Sequence, residues 1–241
     1  MHLFLERNNF SLYLDASGDP LYQRGFRVGS VEAPIKENLA AGIIKLSGWE
    51  PGQAFLDPMC GSGTFLIEAA LIATNQAPGL KRNFGFMAWK NFDKALFKDL
   101  KKSYQNAIIK KDFLRIYGSD KDLRAVRVSK KNLVLAGFEN CIQLACKQFN
   151  EIKPPLEEGV LVTNPPYGER IGDDEDLDNA YPDWARTLKQ SFAGWSTYFL
   201  TNDFRMPKLM RLAPSKKTPL FNGALDCRLF EIKMVAGSNR K

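Results

Sequence analysis

The sequence predicts an α/β fold built on a mainly parallel sheet with helices on both faces. From residue 54 onward, short apolar runs typical of buried strands alternate with longer helical runs. Strands buried on both faces of a sheet are expected to be almost wholly apolar, as these runs are. The 241 residues, 44% hydrophobic and 25% charged, suffice for one large domain of this kind.

Two segments precede the alternating region. Residues 10–27 predict a hairpin, because apolar residues alternate from Phe10 to Leu14 and residues 16–19 supply a turn. A helical run that follows residues 33–36 reaches Leu46 and is closed by Gly48. We therefore expect two parts, an N-terminal hairpin extension over residues 1–30 and a main domain over residues 31–241.

The alternating region contains five predicted strands and three predicted helices, with one insertion and a C-terminal hairpin. The insertion, residues 78–103, is rich in aromatic residues and lysine and is expected to end in a helix. Asn222-Gly223 is a strong turn signal and predicts two short antiparallel strands around it. The predicted strands are 54–56, 113–117, 142–144, 160–162 and 198–200, and the predicted helices are 65–73, 123–136 (stopped by Gly137) and 184–192.

Composition narrows the possible functions. The net charge of +7 suits a polyanionic partner such as nucleic acid, and the basic residues of 205–217 form either an RNA path or a mobile basic loop. His2 is the single histidine and the four cysteines show no zinc spacing, so no metal site is expected. No apolar run approaches the ~20 residues of a membrane span, and no secretory signal is visible, so we expect a cytoplasmic protein.

The loop after the first predicted parallel strand is the first candidate site. Gly61 and Gly63 allow a sharp turn and close approach of a ligand to main-chain N–H groups, although a plain tight turn would also explain them. Asp57, at the tip of the strand, is placed to meet a cation. No Gly-Lys-Ser/Thr follows, which excludes a Walker A loop. The full loop reads Asp57-Pro58-Met59-Cys60-Gly61-Ser62-Gly63-Thr64.

An acidic residue, Asp120, ends the second predicted strand. Its two carboxylate oxygens could accept both hydroxyls of a ribose. The alternative is a helix N-cap for the run from Leu123 onward, a role that Asp120 or Asp122 could fill equally well.

The loop after the fourth predicted strand begins Thr163-Asn164-Pro165-Pro166-Tyr167 and continues Gly168-Glu169-Arg170. Consecutive prolines can simply end a strand, but that does not require the flanking asparagine and tyrosine. An exocyclic amine on an aromatic ring is a poor nucleophile because its lone pair is delocalised. The Asn164 side-chain carbonyl and the Pro165 main-chain carbonyl could accept its two N–H bonds and direct the lone pair at a methyl donor. Tyr167 could stack on an extruded base.

Together these two loops resemble those of the catalytic domain of bacterial large-subunit ribosomal RNA guanine-N2 methyltransferases, the RlmL type. The resemblance extends to residues 14–18, 24–27, 33–37 and 222–225. It implies a Rossmann-like class I methyltransferase fold, S-adenosylmethionine as the cofactor, and guanine N2 of 23S ribosomal RNA as the target. It also implies catalytic roles for Asn164, Pro165 and Tyr167, and a cofactor site that contains Asp57, Pro58, Cys60, Gly61, Ser62, Gly63, Thr64, Asp120 and Asn164.

Two features depart from that family. Members usually place an acidic residue near the adenine amine after the third strand, where this sequence has Gln148; its carbonyl can still accept from the amine, and Phe149 could pack on the ring. A plain loop is the alternative there. Family members usually carry an N-terminal THUMP RNA-binding domain, which is not visible here, so RNA capture is expected to depend on something else unless the chain is an excised catalytic domain.

Two rival functions remain open from the sequence. A DNA adenine-N6 methyltransferase would use the same Asn-Pro-Pro-Tyr geometry, although no target-recognition domain for DNA follows the catalytic region. A non-catalytic RNA-associated protein could retain the fold without turnover. Cofactor binding that depends on Asp57 favours the enzyme, and methyl transfer into RNA but not duplex DNA separates the two enzymes.

Overall fold

The computed structural model describes residues 1–27, 35–166 and 177–236, and its central feature is a seven-stranded sheet. The strands of these residues are β1 (His2–Glu6), β2 (Asn9–Tyr13), β3 (Ala54–Asp57), β4 (Ile116–Asp120), β5 (Gln143–Cys146), β6 (Gly159–Thr163), β7 (Trp195–Thr201), β8 (Lys216–Asn222) and β9 (Leu225–Lys233). The helices are α1 (Glu37–Leu46), α2 (Thr64–Ala73), α3 (Lys94–Asn106), α4 (Leu123–Ala136), α5 (Leu177–Ser191) and α6 (Met206–Met210), with short 3₁₀ helices at Gly85–Ala88 and Phe149–Glu151.

The seven strands lie in the order β5-β4-β3-β6-β7-β9-β8. The five strands β3 to β7 run parallel, and β9 is antiparallel to both β7 and β8. Within this sheet the chain enters at the central strand β3, adds β4 and β5 on one side, and then returns to form β6 on the other side of β3. This reversal creates a switch point between β3 and β6, and ligands bind outside the carboxyl ends of the strands at such a point.

Two hydrophobic cores lie on opposite faces of the sheet. Phe55 packs in the core that includes residues of α1, α2 and α4, and its neighbour Leu56 packs in the core with residues of α5 and α6. This alternation is the two-residue period of a strand, and both faces are apolar because helices cover both. The predicted fold class is therefore confirmed, including the helices on both faces and the C-terminal antiparallel hairpin.

The helix boundaries follow local signals that the sequence contains. The α4 helix spans the predicted residues 123–136 and ends at Gly137, whose φ of 88° lies in the left-handed region that favours glycine. The α2 helix is buried on almost every side, since nine of its ten residues are buried. In the described parts of the chain, no helix is both long and apolar enough to cross a membrane.

The N-terminal hairpin lies in a different place from the one predicted. Residues 10–27 do not form it; the antiparallel pair is β1 and β2, which form a separate two-stranded sheet and turn at Arg7 and Asn8. Arg7 has a φ of 54°, a conformation usually taken by glycine or asparagine, so the turn carries no standard sequence signal. The predicted boundary at residue 30 falls outside the described residues, and the two-part division stays a prediction.

The segment over residues 15–27, which we call the N-terminal strap, is held against the predicted insertion. The Arg82 guanidinium donates to the main-chain carbonyls of Ser17, Asp19 and Pro20, at 3.0 Å for Ser17 and 3.1 Å for Pro20. The insertion ends in α3, as predicted, and encloses a small aromatic cluster of its own: Phe84, Phe86, Phe92 and Phe97.

Candidate active site

A cavity of about 850 Å³ opens at the carboxyl ends of β3, β4 and β6. Its volume lies within the range of small-molecule sites, and it occupies the switch point of the sheet. Most predicted site residues that the structure describes line it, namely Asp57, Pro58, Cys60, Gly61, Ser62, Thr64, Asp120, Gln148, Phe149, Asn164 and Pro165. Residues remote in sequence therefore converge on one cavity.

The glycine loop is held by polar side chains of α4. Ser129 Oγ donates to the Gly61 carbonyl at 2.7 Å, and Asn132 Nδ2 donates to the Ser62 carbonyl at 2.9 Å. Gly63 has a φ of 81°, and a Cβ built there would lie 3.0 Å from Ser129 Oγ. The turn therefore requires glycine both for its backbone conformation and for its close approach to α4.

Asp57 is buried at the tip of β3, with 1% of its surface exposed. Its Oδ1 accepts from the Met59 main-chain N–H at 3.2 Å and from Thr163 Oγ1 at 3.0 Å. Burial, with a smaller contribution from the nearby carboxylate of Asp120, raises the pKa of Asp57 to about 7, although the two hydrogen bonds oppose the shift. A cation in the cavity would stabilise the ionised form of this carboxyl group.

The structure separates the two roles considered for Asp120. The N-cap of α4 is Asp122, whose Oδ1 accepts from the Arg124 main-chain N–H at 2.8 Å. Asp120 lines the cavity, and its two oxygens accept from the main-chain N–H groups of Gly61, at 2.9 Å, and Asp122, at 3.0 Å. Burial raises the pKa of Asp120. The capping alternative is thus wrong for Asp120, and its ribose role stays a prediction.

The remaining residues of the loop are held by buried contacts. Cys60 Sγ lies 3.7 Å from Ser129 Oγ, and burial raises the pKa of the Cys60 thiol. Ser62 Oγ and Thr64 Oγ1 lie 3.3 Å apart. Arg27 Nη2 donates to Thr64 Oγ1 at 3.1 Å, so the N-terminal strap contacts the start of α2 directly.

Two ion pairs tie the strap to the helices beside the cavity. Arg24 Nε lies 3.2 Å from Glu68 Oε1 of α2, and Arg27 Nη2 lies 3.4 Å from Glu37 Oε1 of α1. Burial raises the pKa of Glu68 to about 7 although the Arg24 charge opposes that shift. These contacts position the strap against the helix that begins at the glycine loop.

Gln148 and Phe149, after β5, form another part of the cavity wall. Phe149 is buried, and its ring centroid lies 5.4 Å from that of Trp184 and 6.3 Å from that of Phe199. The Gln148 main-chain N–H donates to Glu151 Oε2 at 2.9 Å, which fixes this turn. Trp184 of α5 lines the same cavity, so an aromatic wall is present on this side.

The Asn-Pro-Pro turn follows β6 directly. Asn164 is half-buried and Pro165 is buried, and both line the cavity together with Pro166. The hydrogen bond from Thr163 to Asp57 joins the end of β6 to the end of β3 at the switch point. Tyr167, predicted to stack on a base, lies outside the described residues together with residues 168–170.

The basic segment 205–217 is not a loop throughout. It contains α6, whose Met206 and Met210 are buried, and the start of β8. Arg205 pairs with Asp203 at 2.9 Å and with Asp178 at 3.1 Å. The role of the segment 205–217 as an RNA path stays a prediction. Within the described ranges, no cluster of three or more His, Cys, Asp or Glu side chains could hold a metal ion.

Sequence reasoning missed several residues that shape this site. Ser129 and Asn132 are one helical turn apart on α4 and share its buried side with Ala125, Leu133 and Ala136, so their helical spacing is the available signal. Trp184 begins a predicted helix, 184–192, for which the sequence indicates no site residue. Arg27 belongs to the segment predicted to form a hairpin strand, and no local pattern connects it with Thr64.

The strand order, the helices on both faces and the cavity at the switch point define a Rossmann-like domain of the class I methyltransferase type. A family model described as UPF0020, RMKL-like, methyltransferase domain, matches residues 24–231. The chain belongs to this family.

Curated relatives are similar over nearly the whole chain. A protein named ribosomal RNA large subunit methyltransferase K/L from Shewanella sp. (strain W3-18-1) is 41% identical over 236 residues, which are 96% of this chain and 33% of the relative. A protein of the same name from Desulfotalea psychrophila is 39% identical over 95% of this chain and 33% of its own length. The chain thus spans about a third of the length of these relatives.

Solved structures show the same domain. A possible methylase from Clostridium difficile 630 superposes with a TM-score of 0.88 at 34% identity, over 99% of this chain and 62% of that one. SMU.472, described as a methyltransferase and solved with SAH, has a TM-score of 0.85 at 39% identity, over 93% of this chain and 58% of its own. A Listeria monocytogenes chain described as a predicted N6-adenine-specific DNA methylase has a TM-score of 0.83 at 35% identity, over 91% and 57%.

Proposed function

We propose that this chain transfers a methyl group from S-adenosylmethionine to an exocyclic amine of a nucleic-acid base, guanine N2 of large-subunit ribosomal RNA. One observation carries the proposal: the Asp57 loop and the Asn164-Pro165 turn meet at one cavity and are joined by the Thr163–Asp57 hydrogen bond. A donor site and an acceptor site must be adjacent for a direct transfer, because the reacting atoms have to approach closely.

The cofactor site fits the chemistry of S-adenosylmethionine. The buried Asp57, with a pKa of about 7, is suited to the positively charged amino group of the methionine part. Asp120 lines the cavity with a carboxylate that can accept ribose hydroxyls, and Gln148 can accept from the adenine amine. Phe149 supplies an apolar ring against which adenine could pack. When bound, the cofactor supplies an already activated methyl group on a positively charged sulfur.

The residues of the acceptor side orient the amine and exclude water. The Asn164 side-chain carbonyl and the Pro165 main-chain carbonyl accept the two N–H bonds of the amine, which turns its lone pair toward the donor. Proline fixes φ at 165 and so aims this carbonyl in advance. Tyr167 stacks on the face of the extruded base in this proposal. Orientation and desolvation then provide much of the rate enhancement.

RNA is the favoured substrate because the curated relatives are named as ribosomal RNA methyltransferases and the chain carries a net charge of +7. The cytoplasm is part of the proposal, because ribosomal RNA is there. The alternative substrate is adenine N6 in DNA, which the description of the Listeria chain favours and which the same turn could hold. A pocket that accepts two N–H bonds serves either amine, and the methylated product distinguishes the two substrates.

Radiolabelled methyl transfer from S-adenosylmethionine to protein-free large-subunit RNA from a strain lacking the enzyme tests the proposal. Digestion to nucleosides and mass spectrometry identify the product, and duplex DNA is assayed in parallel. We expect N2-methylguanosine, at least about a hundredfold less of it with Asn164→Ala, and little change with Asn140→Ala. Asn140 is exposed and precedes β5, at the opposite edge of the sheet. Label in adenine of DNA, or equal activity of the two variants, would refute the proposal.

A further inference from the structure

The positive charge of the chain is concentrated in one segment. Residues 78–111 lie between α2 and β4 and include α3, and we call them the lysine-rich insertion. They contain nine lysines and arginines against two aspartates, which is a net charge of +7. The rest of the chain has 25 basic and 25 acidic residues and is neutral overall. The whole net charge of the protein therefore lies in this segment.

The lysines of α3 share one face of that helix. Lys94, Lys98, Lys101 and Lys102 follow one another at the spacing that brings side chains to the same side of a helix. From Lys94 to Lys102 this face extends about 12 Å along the helix axis. Like charges four residues apart destabilise a helix, and α3 contains two such pairs. An anionic partner along this face would relieve their repulsion.

The charges of the lysine-rich insertion are available to a partner. Helix α3 has no buried residue. Lys81 and Arg82 are used within the fold, because they donate to main-chain carbonyls of α4 and of the N-terminal strap. Six other lysines have exposed side chains that make no ion pair or hydrogen bond with the residues that the structure describes, namely Lys90, Lys94, Lys98, Lys102, Lys110 and Lys111.

The lysine-rich insertion lies away from the active-site cavity. Helix α2 begins at the glycine loop and extends about 15 Å, and just past its far end the Thr74 carbonyl accepts from the Ile109 main-chain N–H at 2.9 Å. Beside this bond, Asn75 Nδ2 donates to the Ala107 carbonyl at 3.2 Å. The end of α3 is therefore fixed near the amino edge of the sheet. Nucleotides stacked along one strand rise about 3.4 Å each, so an RNA held at both places needs about five nucleotides or more between them.

We propose that the lysine face of α3 binds the phosphate backbone of the RNA substrate and holds the RNA while a distant nucleotide enters the active site. This inference rests on the proposed function, since it takes RNA as the substrate. RNA is favoured over an anionic membrane because the proposed reaction requires the chain to hold a polyanion, and outside this segment the chain is neutral overall. Phosphate contacts supply affinity and position a nucleic acid without reading its sequence, which suits a surface of lysines.

Affinity for a fluorescein-labelled RNA hairpin of about 25 nucleotides, measured at several salt concentrations, tests the inference. Lys98→Gln/Lys102→Gln should weaken binding about tenfold at about 0.1 M salt and reduce the slope of log affinity against log salt by about one to two. Lys98→Arg/Lys102→Arg keeps both charges and should bind as the unaltered chain does. The matched control is Lys153→Gln/Lys189→Gln, which removes the same charge from exposed lysines beside the core that α5 covers, on the other face of the sheet.

Enzyme kinetics separate RNA capture from chemistry. Lys98→Gln/Lys102→Gln should raise KM for protein-free large-subunit RNA about tenfold and leave kcat and cofactor affinity unchanged, because α3 does not line the active-site cavity. Equal RNA affinity of this variant and of the matched control overturns the inference. So does loss of binding to phosphatidylglycerol vesicles without a change in RNA affinity, because α3 would then lie on a membrane through the exposed Leu96 and Leu100.

The two proposals fail in distinguishable ways. If the unaltered chain methylates RNA and Lys98→Gln/Lys102→Gln has the same KM as the matched control, the inference about α3 fails alone. If the unaltered chain binds RNA through the lysines of α3 yet methylates none, the proposed function fails and the lysine face remains an RNA site.

Discussion

Asp57→Asn is expected to stabilise the ligand-free chain at alkaline pH while it weakens cofactor binding. The carboxyl group has an ordinary pKa of 3.8 and one of about 7 in the fold, mainly because it is buried. A pKa difference of this size lowers the free energy of unfolding by about 4 kcal/mol once the group is ionised in both the folded and the unfolded state. Asparagine removes this cost and can still accept from Met59 and Thr163, since one oxygen of Asp57 receives both bonds.

The pH dependence of this effect follows from the raised pKa of Asp57. Below about pH 4 the carboxyl group is protonated in both the folded and unfolded states, so the variant should gain nothing. Between about pH 4 and 7 the unfolded state ionises first, and the stability of the unaltered chain falls relative to the variant. Above about pH 7 the difference should be constant.

Urea unfolding followed by circular dichroism, from about pH 5 to 8.5, measures this difference directly. At the upper pH we expect the variant to be more stable by about 2–4 kcal/mol, which is about 10 °C in Tm for a chain of this size. Thr163→Val, which removes one donor to Asp57 but keeps the carboxyl group, should be less stable than the unaltered chain above about pH 7. A stability difference for Asp57→Asn that is the same at every pH would refute the reasoning.

Three further predictions concern the same cavity. Cofactor binding at about pH 6.5 should release about three-quarters of a proton from Asp57, because a group with a pKa of about 7 is protonated to that extent and a bound ammonium group would lower its pKa; calorimetry in buffers of different ionisation enthalpy measures this, and Asp57→Asn should release none. Gly63→Ala should cost about 1–3 kcal/mol, more than Gly137→Ala, because both have positive φ but a Cβ has open space only at Gly137; equal losses in urea unfolding would contradict the role of the close approach. Asp122→Ala should cost about 1 kcal/mol of stability and leave cofactor affinity unchanged, whereas Asp120→Asn should weaken that affinity about tenfold and also cost about 1 kcal/mol, because its amide cannot accept from both Gly61 and Asp122; unchanged cofactor affinity in Asp120→Asn would exclude the ribose role.

The sequence predicts those parts of the fold and the site that depend on residues close together in the chain. The α4 helix has its predicted limits because Asp122 and Gly137 are local signals for its two ends. The convergence of the Asp57 loop and the Asn164 turn on one cavity could also be predicted, since both follow parallel strands and such strand ends meet at one edge. The residues of these same two loops carry the resemblance to the family.

Features that depend on distant contacts could not be predicted. The turn over residues 16–19 looked like that of a hairpin, but its carbonyls accept from Arg82, more than sixty residues away. The true hairpin turns at Arg7, a residue with no preference for positive φ. Arg27 supports the glycine loop through a contact with Thr64 that no periodic pattern encodes.

The N-terminal strap has a consequence for the order in which parts of the domain open. The strap contacts three separate elements: Arg24 pairs with Glu68 of α2, Arg27 contacts Glu37 of α1 and Thr64 at the start of α2, and the main-chain carbonyls of the strap accept from Arg82 of the insertion. Release of the strap would remove the partner of the buried Glu68 and a support of the glycine loop in one event. The amides of that loop should therefore exchange with deuterium as part of the same cooperative unit as the strap, and Arg24→Ala should accelerate both together.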